Sequence, residues 1–155
     1  MPRRSYKKHL VDPDLEYNNT VVAKLINHIM RAGKKATARK VMYTTLDIVK
    51  EKSKKDPLDV LQAAMDNITP KIEVRSKRVG GATYQVPMEI TPDRKNSLAF
   101  RWLLESARAK KGKPMAARLS EEILAAAKNE GNAVRKKEDT HRMAEANRAF
   151  AHFAR

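Results

Sequence analysis

Apolar residues three or four positions apart predict amphipathic helices through the first part of the chain. The first helix is predicted over residues 20–32, with Asn19 as its capping residue and Gly33 as its C-terminal stop. The second is predicted over residues 35–54. A third is predicted over residues 57–69, because a capping aspartate and a proline at the first helical position precede its apolar stripe.

The pattern changes from helical to alternating in residues 71–90, which predicts two strands flanking Gly80 and Gly81. A two-residue loop at the glycines would mix the apolar and polar faces of the hairpin, so we prefer a three-residue loop over residues 80–82. That loop needs at least one left-handed residue, and we expect only one of the two glycines to be essential. It also sets three cross-strand pairs: Ile72 with Ile90, Val74 with Met88, and Arg78 with Tyr84.

Helical spacing resumes after the ribbon. A fourth helix is predicted over residues 92–111, with Trp102 in its buried stripe. A fifth begins at Pro114 and closes at residues 129–131. A sixth, capped by Asn132 and extending to about residue 150, is polar nearly all round, so it should lie on the outside of the protein or against a partner.

These elements define a fold class. A lone hairpin cannot bury both of its faces, so the ribbon is predicted to project as an arm. A length of 155 residues corresponds to one domain. The prediction is a mainly α protein, a single domain over residues 1–155 with about six helices. A projecting two-stranded β-ribbon arm at 71–90 lies between helices three and four, and a basic N-terminal arm covers residues 1–12.

The composition adds a strong charge to this pattern. Lys and Arg number 33 against 18 Asp and Glu, a formal net charge of +15, and there is no Cys. No apolar run approaches the roughly 20 residues that span a bilayer, and the basic start lacks the apolar segment of a secretory signal. The absence of Cys excludes disulfides and thiolate chemistry and agrees with a cytoplasmic location. The excess charge favours a polyanionic partner.

The basic residues are concentrated in groups along the whole chain. The first ten residues hold four bases and no acid, residues 71–78 hold four bases against one acid, and residues 94–113 hold seven against one. Further bases cluster in residues 31–40. A solvated surface usually mixes the two signs. This distribution therefore predicts a wide, wrapped contact with nucleic acid.

No residue pattern in the sequence supports catalysis or cofactor binding. The Gly33-Lys34-Lys35 turn lacks the first glycine and the hydroxyl of a phosphate loop. Its two lysines can instead hold a phosphate of a polymer, or lie in a solvated turn. The four histidines are too scattered for a metal site. We therefore expect a protein that is not an enzyme and that uses no cofactor and no metal.

The ribbon carries one aromatic side chain, Tyr84, near Arg75, Lys77 and Arg78. A ring beside cations is the combination that stacks on bases and neutralises phosphates of a nucleic-acid strand. Packing of the ring on an arginine stem across the ribbon is the alternative. The sequence leaves both roles open.

Several segments together resemble the family of ribosomal protein seven of the small subunit, in its bacterial or organellar form. No position breaks a family motif, and the matching segments cover essentially the full chain. They are Asn19-x-Val21, Leu25-Ile26, Gly33-Lys34-Lys35, Val41-Met42 with Thr45, the ribbon residues 78–87, Asn96-Ser97-Leu98-Ala99, and the tail 136–144.

The resemblance implies a protein that binds the 3′ major domain of small-subunit ribosomal RNA and nucleates assembly of the subunit head. It also implies a position near the exit-site transfer RNA and the messenger RNA, with small-subunit ribosomal proteins nine and eleven as neighbours. Carried onto this sequence, the basic residues expected to contact RNA are Arg3, Arg4, Lys7, Lys8, Lys34, Lys35, Arg75, Lys77, Arg78, Arg94, Lys95, Lys110, Lys111 and Lys113.

Two other classes of protein compete with this interpretation. A β-ribbon on a helical body can also embrace a DNA groove, so a DNA-architectural protein is the alternative within nucleic-acid binding. Competition between structured ribosomal RNA and duplex DNA distinguishes the two. A cationic enzyme, or an adaptor for acidic proteins, would instead show turnover, or an association that survives nuclease treatment.

Overall fold

The fold was analysed in a computed structural model that describes residues 11–154. The order of its elements confirms the predicted fold class, with a two-stranded ribbon between the third and fourth helices. The elements are α1 (Thr20–Ile29), α2 (Lys35–Ser53), α3 (Pro57–Ile68), β1 (Ile72–Val79), β2 (Ala82–Glu89), α4 (Pro92–Ala109), α5 (Met115–Ala127), α6 (Asn132–Ala146) and a 3₁₀ segment, Arg148–Ala154, which we name the C-terminal turn.

Helix starts follow the capping signals of the sequence closely. The side chains of Asn19 and Asp56 accept hydrogen bonds from first-turn N–H groups at 2.7 and 2.8 Å, so α1 and α3 begin where predicted. Helices α2 to α5 agree with the predicted bounds within two residues. α1 ends at Ile29, short of the predicted residue 32, because the backbone leaves the helical region at Met30, with ψ 134°.

The predicted sixth helix consists of two elements. α6 ends at Ala146, and the Asn147 side chain donates to the carbonyl of Met143 at 2.7 Å, a local bond that competes with continued helix. The predicted cap, Asn132, is instead the first helical residue. The N-cap position belongs to Gly131, whose φ of +96° and ψ of 171° are essentially restricted to glycine.

All six helices contribute side chains to one hydrophobic core cluster. α5 packs against α2, α3, α4 and α6, and its Leu119 and Ile123 are fully buried. Trp102 is a buried member of the cluster, which confirms its predicted core role. α6 contributes only Ala133 and Val134 to the cluster, in agreement with its polar sequence.

The ribbon has a different register from the predicted one, and the prediction was wrong. Its loop has two residues, because Gly80 and Gly81 have φ values of +56° and +91°, the pair of positive angles that a tight type I′ turn requires. The prediction assumed that the buried face of the ribbon is apolar. That face instead holds the buried Glu73 near Val86. The observed pairs are Ile72 with Glu89, Val74 with Pro87, Lys77 with Tyr84, and Arg78 with Thr83.

The base of the ribbon is held against the helices. The Glu73 carboxylate, 7% exposed, forms ion pairs with Arg75 on its own strand and with Arg94 Nε of α4 at 2.7 Å. The backbone N–H of Lys71 donates to His141 Nε2 on α6 at 3.1 Å. The C-terminal turn packs along β2. Both glycines at the tip are exposed and have no neighbouring atoms within reach of an added Cβ, so the tip projects from this base.

A second buried glutamate, Glu122 of α5, connects three helices. Its Oε2 lies 2.8 Å from Lys110 Nζ, just beyond α4, and its Oε1 accepts the N–H of Ala133 in the first turn of α6 at 3.0 Å. The side chain is 1% exposed. A Cβ at Gly131 would lie 3.0 Å from Oε1, so this glycine allows the carboxylate to reach the end of the helix.

We expect Glu122→Ala to lower the free energy of unfolding by about 1.5–3 kcal/mol, the range for a lost hydrogen bond to a charged group. Denaturant unfolding followed by circular dichroism measures it. Glu121→Ala is the matched control, because it removes the same charge from the same helical turn but breaks only a surface ion pair with Lys113. Equal losses from the two variants would show that the buried contacts of Glu122 do not matter.

We expect Gly81→Val to introduce about 1–2 kcal/mol of strain at the tip, because a β-branched residue tolerates positive φ poorly. Gly80→Asn is the control, since Asn-Gly is a favoured sequence for this turn. Amide hydrogen exchange should accelerate in β1 and β2 of the valine variant and stay unchanged in the helices. Faster exchange throughout the helical core would show that the ribbon and the core unfold as one unit.

Candidate nucleic-acid interface

The basic residues predicted to contact RNA fall into three places. Arg3, Arg4, Lys7 and Lys8 lie outside the described residues. The other predicted bases occupy the two ends of α4 and the elements that meet those ends. One end carries the ribbon, and the other carries the α1–α2 turn together with the α4–α5 loop.

At the ribbon end, one carboxylate organises the cations. Glu73 holds Arg75 and Arg94 together, and these two side chains remain 49% and 43% exposed. Because two guanidinium groups share a single carboxylate, the cluster keeps a net positive charge. Arg78 and Lys95 lie beside this cluster in the sequence, Arg78 exposed near the ribbon tip and Lys95 half-buried in α4.

The structure places Tyr84 against the C-terminal turn. Its ring centroid lies 5.2 Å from those of both Phe150 and Phe153. Opposite it on β1, Lys77 Nζ donates to the carbonyl of Phe153 at 2.6 Å. The ring therefore packs on two phenylalanines, and stacking of Tyr84 on a nucleobase stays a prediction.

At the other end of α4, two basic segments that are distant in sequence come together around a cavity of about 370 Å³, which we name the junction cavity. Arg31 and Lys34 line it from the α1–α2 turn, Arg108 from α4 and Arg118 from α5. Arg108 donates to the carbonyls of His28 and Ile29 at the end of α1, at 3.5 and 3.4 Å. These bonds join the end of α4 to the end of α1.

The structure separates residues that the sequence analysis had grouped. Lys34 lines the junction cavity, whereas its neighbour Lys35 lines a different depression, beside residues 11–15. Lys110 is paired with the buried Glu122, and Lys113 is paired with Glu121. Lys111 is exposed in the loop between α4 and α5.

A stripe of arginines connects the two ends of α4. The sequence analysis did not recognise these arginines as a set. Arg94, Arg101 and Arg108 are seven residues apart on α4, and each step of seven returns to the same helix face within about 20°. Over the fourteen residues the stripe covers about 21 Å at 1.5 Å per residue. We name these three residues the α4 stripe. The sevenfold spacing was present in the sequence and could have identified it.

Charges of the α4 stripe and of side chains near it shift the pKa values of His28 and Arg108. Burial lowers the pKa of His28, and the positive charge of Arg101 lowers it further. Burial also lowers the pKa of Arg108, and Arg31 lowers it further by repulsion, while Glu105 opposes the shift. Burial is thus the larger cause of both pKa shifts, and neighbouring positive charge adds to it where α1, α4 and the α1–α2 turn meet.

Two other types of site are absent from residues 11–154. In this part of the chain, no group of three or more His, Asp or Glu side chains is placed to hold a metal ion. Within the same residues, no helix has an apolar stretch of the length needed to cross a membrane. The α4 stripe, the ribbon base and the junction cavity together form the candidate nucleic-acid interface.

Comparison with known proteins agrees with the resemblance noted in the sequence. The family model described as Ribosomal protein S7p/S5e matches residues 1–148. Proteins named small ribosomal subunit protein uS7 are 58% identical in Thermotoga neapolitana and 57% in Thermotoga maritima, each over 153 residues and 99% of both chains. The protein of that name from Caldicellulosiruptor saccharolyticus is 59% identical over 155 residues and 99% of both chains. The chain belongs to the ribosomal protein S7p/S5e family.

Proposed function

We propose that this chain binds the 3′ major domain of small-subunit ribosomal RNA directly and nucleates assembly of the subunit head. Membership of its family gives it a structural role in the small ribosomal subunit, in a class of proteins that are not enzymes. The specific RNA target and the assembly role come from the resemblance. The observation that carries direct RNA binding is the α4 stripe with basic groups at both of its ends.

The geometry suits RNA recognition by shape and charge. An A-form helix hides its base edges in a deep, narrow groove, so a protein that organises a junction holds phosphates and 2′-hydroxyl groups from several sides. The α4 stripe presents three guanidinium groups along about 21 Å of rigid helix. Guanidinium groups bind phosphate oxygens in a bidentate manner. The ribbon and the junction cavity extend this contact beyond the two ends of the helix.

The position of the chain in the subunit is part of the same proposal. The exposed ribbon tip at Gly80 and Gly81 is free to reach a second RNA, which agrees with a place near the exit-site transfer RNA and the messenger RNA. Small-subunit ribosomal proteins nine and eleven are the protein neighbours that the resemblance implies. The polar outer face of α6 offers a surface for such a contact.

Competition binding separates this proposal from a DNA-architectural function. We expect a transcript of the 3′ major domain to displace labelled transcript at concentrations at which duplex DNA of equal length does not. The reason is that the stripe, the ribbon and the α1–α2 turn can all engage a folded junction, whereas a straight duplex reaches fewer of them. Equal displacement by duplex DNA would refute specific binding of ribosomal RNA.

Salt dependence tests the role of the α4 stripe. The logarithm of the binding constant should fall linearly with the logarithm of salt concentration, because phosphate contacts release counterions. We expect Arg101→Gln to reduce the magnitude of that slope by about one, the effect of losing one phosphate contact. Lys52→Gln, which removes the same charge from the far end of α2, is the control. Equal slopes for the wild type and both variants would exclude a phosphate contact at Arg101.

A further inference from the structure

The junction cavity is a concave part of the basic surface that has apolar walls. Met30, Val41 and Met115 line it, and all three side chains are half-buried. Its volume of about 370 Å³ is within the range of about 300–1,000 Å³ for ligand pockets. A surface that only neutralises phosphates needs no apolar walls. The walls instead suit the flat, apolar faces of a nucleobase.

The rim of the cavity is cationic, and among residues 11–154 no Asp or Glu lines it. Arg118 donates to the carbonyls of Arg108 and Lys110, while Arg108 donates to carbonyls of α1, as described above. Carbonyl acceptors orient guanidinium groups without cancelling their charge. In addition, the Nε of Arg118 is buried and has no hydrogen-bond partner within the described part of the chain. An anionic group at the rim would relieve the mutual repulsion of these cations.

The cavity is continuous with the proposed RNA surface through one residue. Arg108 is both the last member of the α4 stripe and part of the cavity lining. A strand whose phosphates follow the stripe therefore arrives at the cavity mouth. This continuity favours a nucleotide within a bound RNA over a free nucleotide, which would gain nothing from the stripe.

We propose that the junction cavity receives one unstacked nucleotide of the bound RNA, with its base between Met30, Val41 and Met115 and its phosphate on the rim formed by Arg31, Lys34, Arg108 and Arg118. This proposal rests on the proposed RNA-binding function and specifies the ligand class at one site. The chemistry required is that of a base and a phosphate together.

Methyl NMR tests the cavity without any variant. With ¹³C-labelled methionine methyl groups, millimolar adenosine or uridine 5′-monophosphate should shift the Met30 and Met115 signals saturably. Inorganic phosphate, which lacks the base, should shift them far less at equal ionic strength. The signal of the exposed Met143, outside the cavity, is the internal control. Equal responses to phosphate and to nucleotide, or no response to nucleotide, would overturn the proposal.

A cavity-filling variant tests the same site in the RNA complex. Thr37 is exposed and lines the cavity, so Thr37→Trp fills it without removing a cation. We expect about tenfold weaker binding of the 3′ major-domain transcript, in the range for loss of one base contact, with an unchanged salt slope. The matched control is Thr44→Trp, an exposed position on α2 that is not part of the cavity lining.

The two proposals fail in different ways. Wild-type affinity in Thr37→Trp, with selective binding of ribosomal RNA retained, would refute the nucleotide cavity and leave the proposed function intact. A wild-type protein that does not prefer ribosomal RNA to duplex DNA would refute the proposed function itself. If Thr37→Trp does not fold, the methyl titration of the wild-type protein decides the question alone.

Discussion

The carboxylate of Glu122 fixes the relative positions of α4, α5 and α6. Burying a charge without partners is costly, so the fold must bring Lys110 and the N–H of Ala133 to it at the same time. The contact with Lys110 lies where α4 ends and its loop begins. The contact with the N–H of Ala133 lies where α6 begins. The helix N-terminus adds a favourable dipole to the second contact. The hydrogen bonds from Arg108 to the carbonyls of His28 and Ile29 then hold this end of α4 beside the α1–α2 turn, where the junction cavity lies.

The opposite end of α4 is fixed in the same manner. Glu73 is also a buried glutamate, and it pairs with Arg94 of α4. Each end of the helix is thus tied to its neighbours by one buried carboxylate, and the α4 stripe lies between the two ties. A rigid helix with fixed ends presents its arginines at constant spacing. That property suits a partner whose phosphates are also regularly spaced.

The sequence predicted the helices well because their signals are local. Asn19 and Asp56 cap the helices that follow them, and helical spacing of apolar residues depends only on the segment itself. The predicted register of the ribbon was wrong because its cause is not local. Burial of Glu73 depends on Arg94, twenty-one residues later. The predicted cap of α6 was wrong for the same reason. The side chain that accepts a hydrogen bond from the first turn of this helix is Glu122, and not the adjacent Asn132.

In the candidate site, too, some features could be predicted from local sequence and others required the tertiary structure. The charge groups could be located along the chain from the sequence, and the α4 stripe was accessible from sevenfold spacing alone. The junction cavity was not, because it is lined by residues from four helices and the turn between two of them, and Arg31 and Arg118 are 87 positions apart. The different positions of Lys34 and Lys35 also require the tertiary structure, since adjacent residues at a turn can face opposite sides.

The C-terminal turn covers the ribbon only after the ribbon has been made. Phe150 and Phe153, which pack on Tyr84, follow the end of β2 by about 60 residues. At about 5–20 residues per second, a translating ribosome adds them roughly 3–12 s after it completes β2. During that interval the ribbon has its glycine turn but lacks its aromatic cover. The aromatic cover of the ribbon is therefore the last part of its packing to be synthesised, after most of the helical core is available to fold.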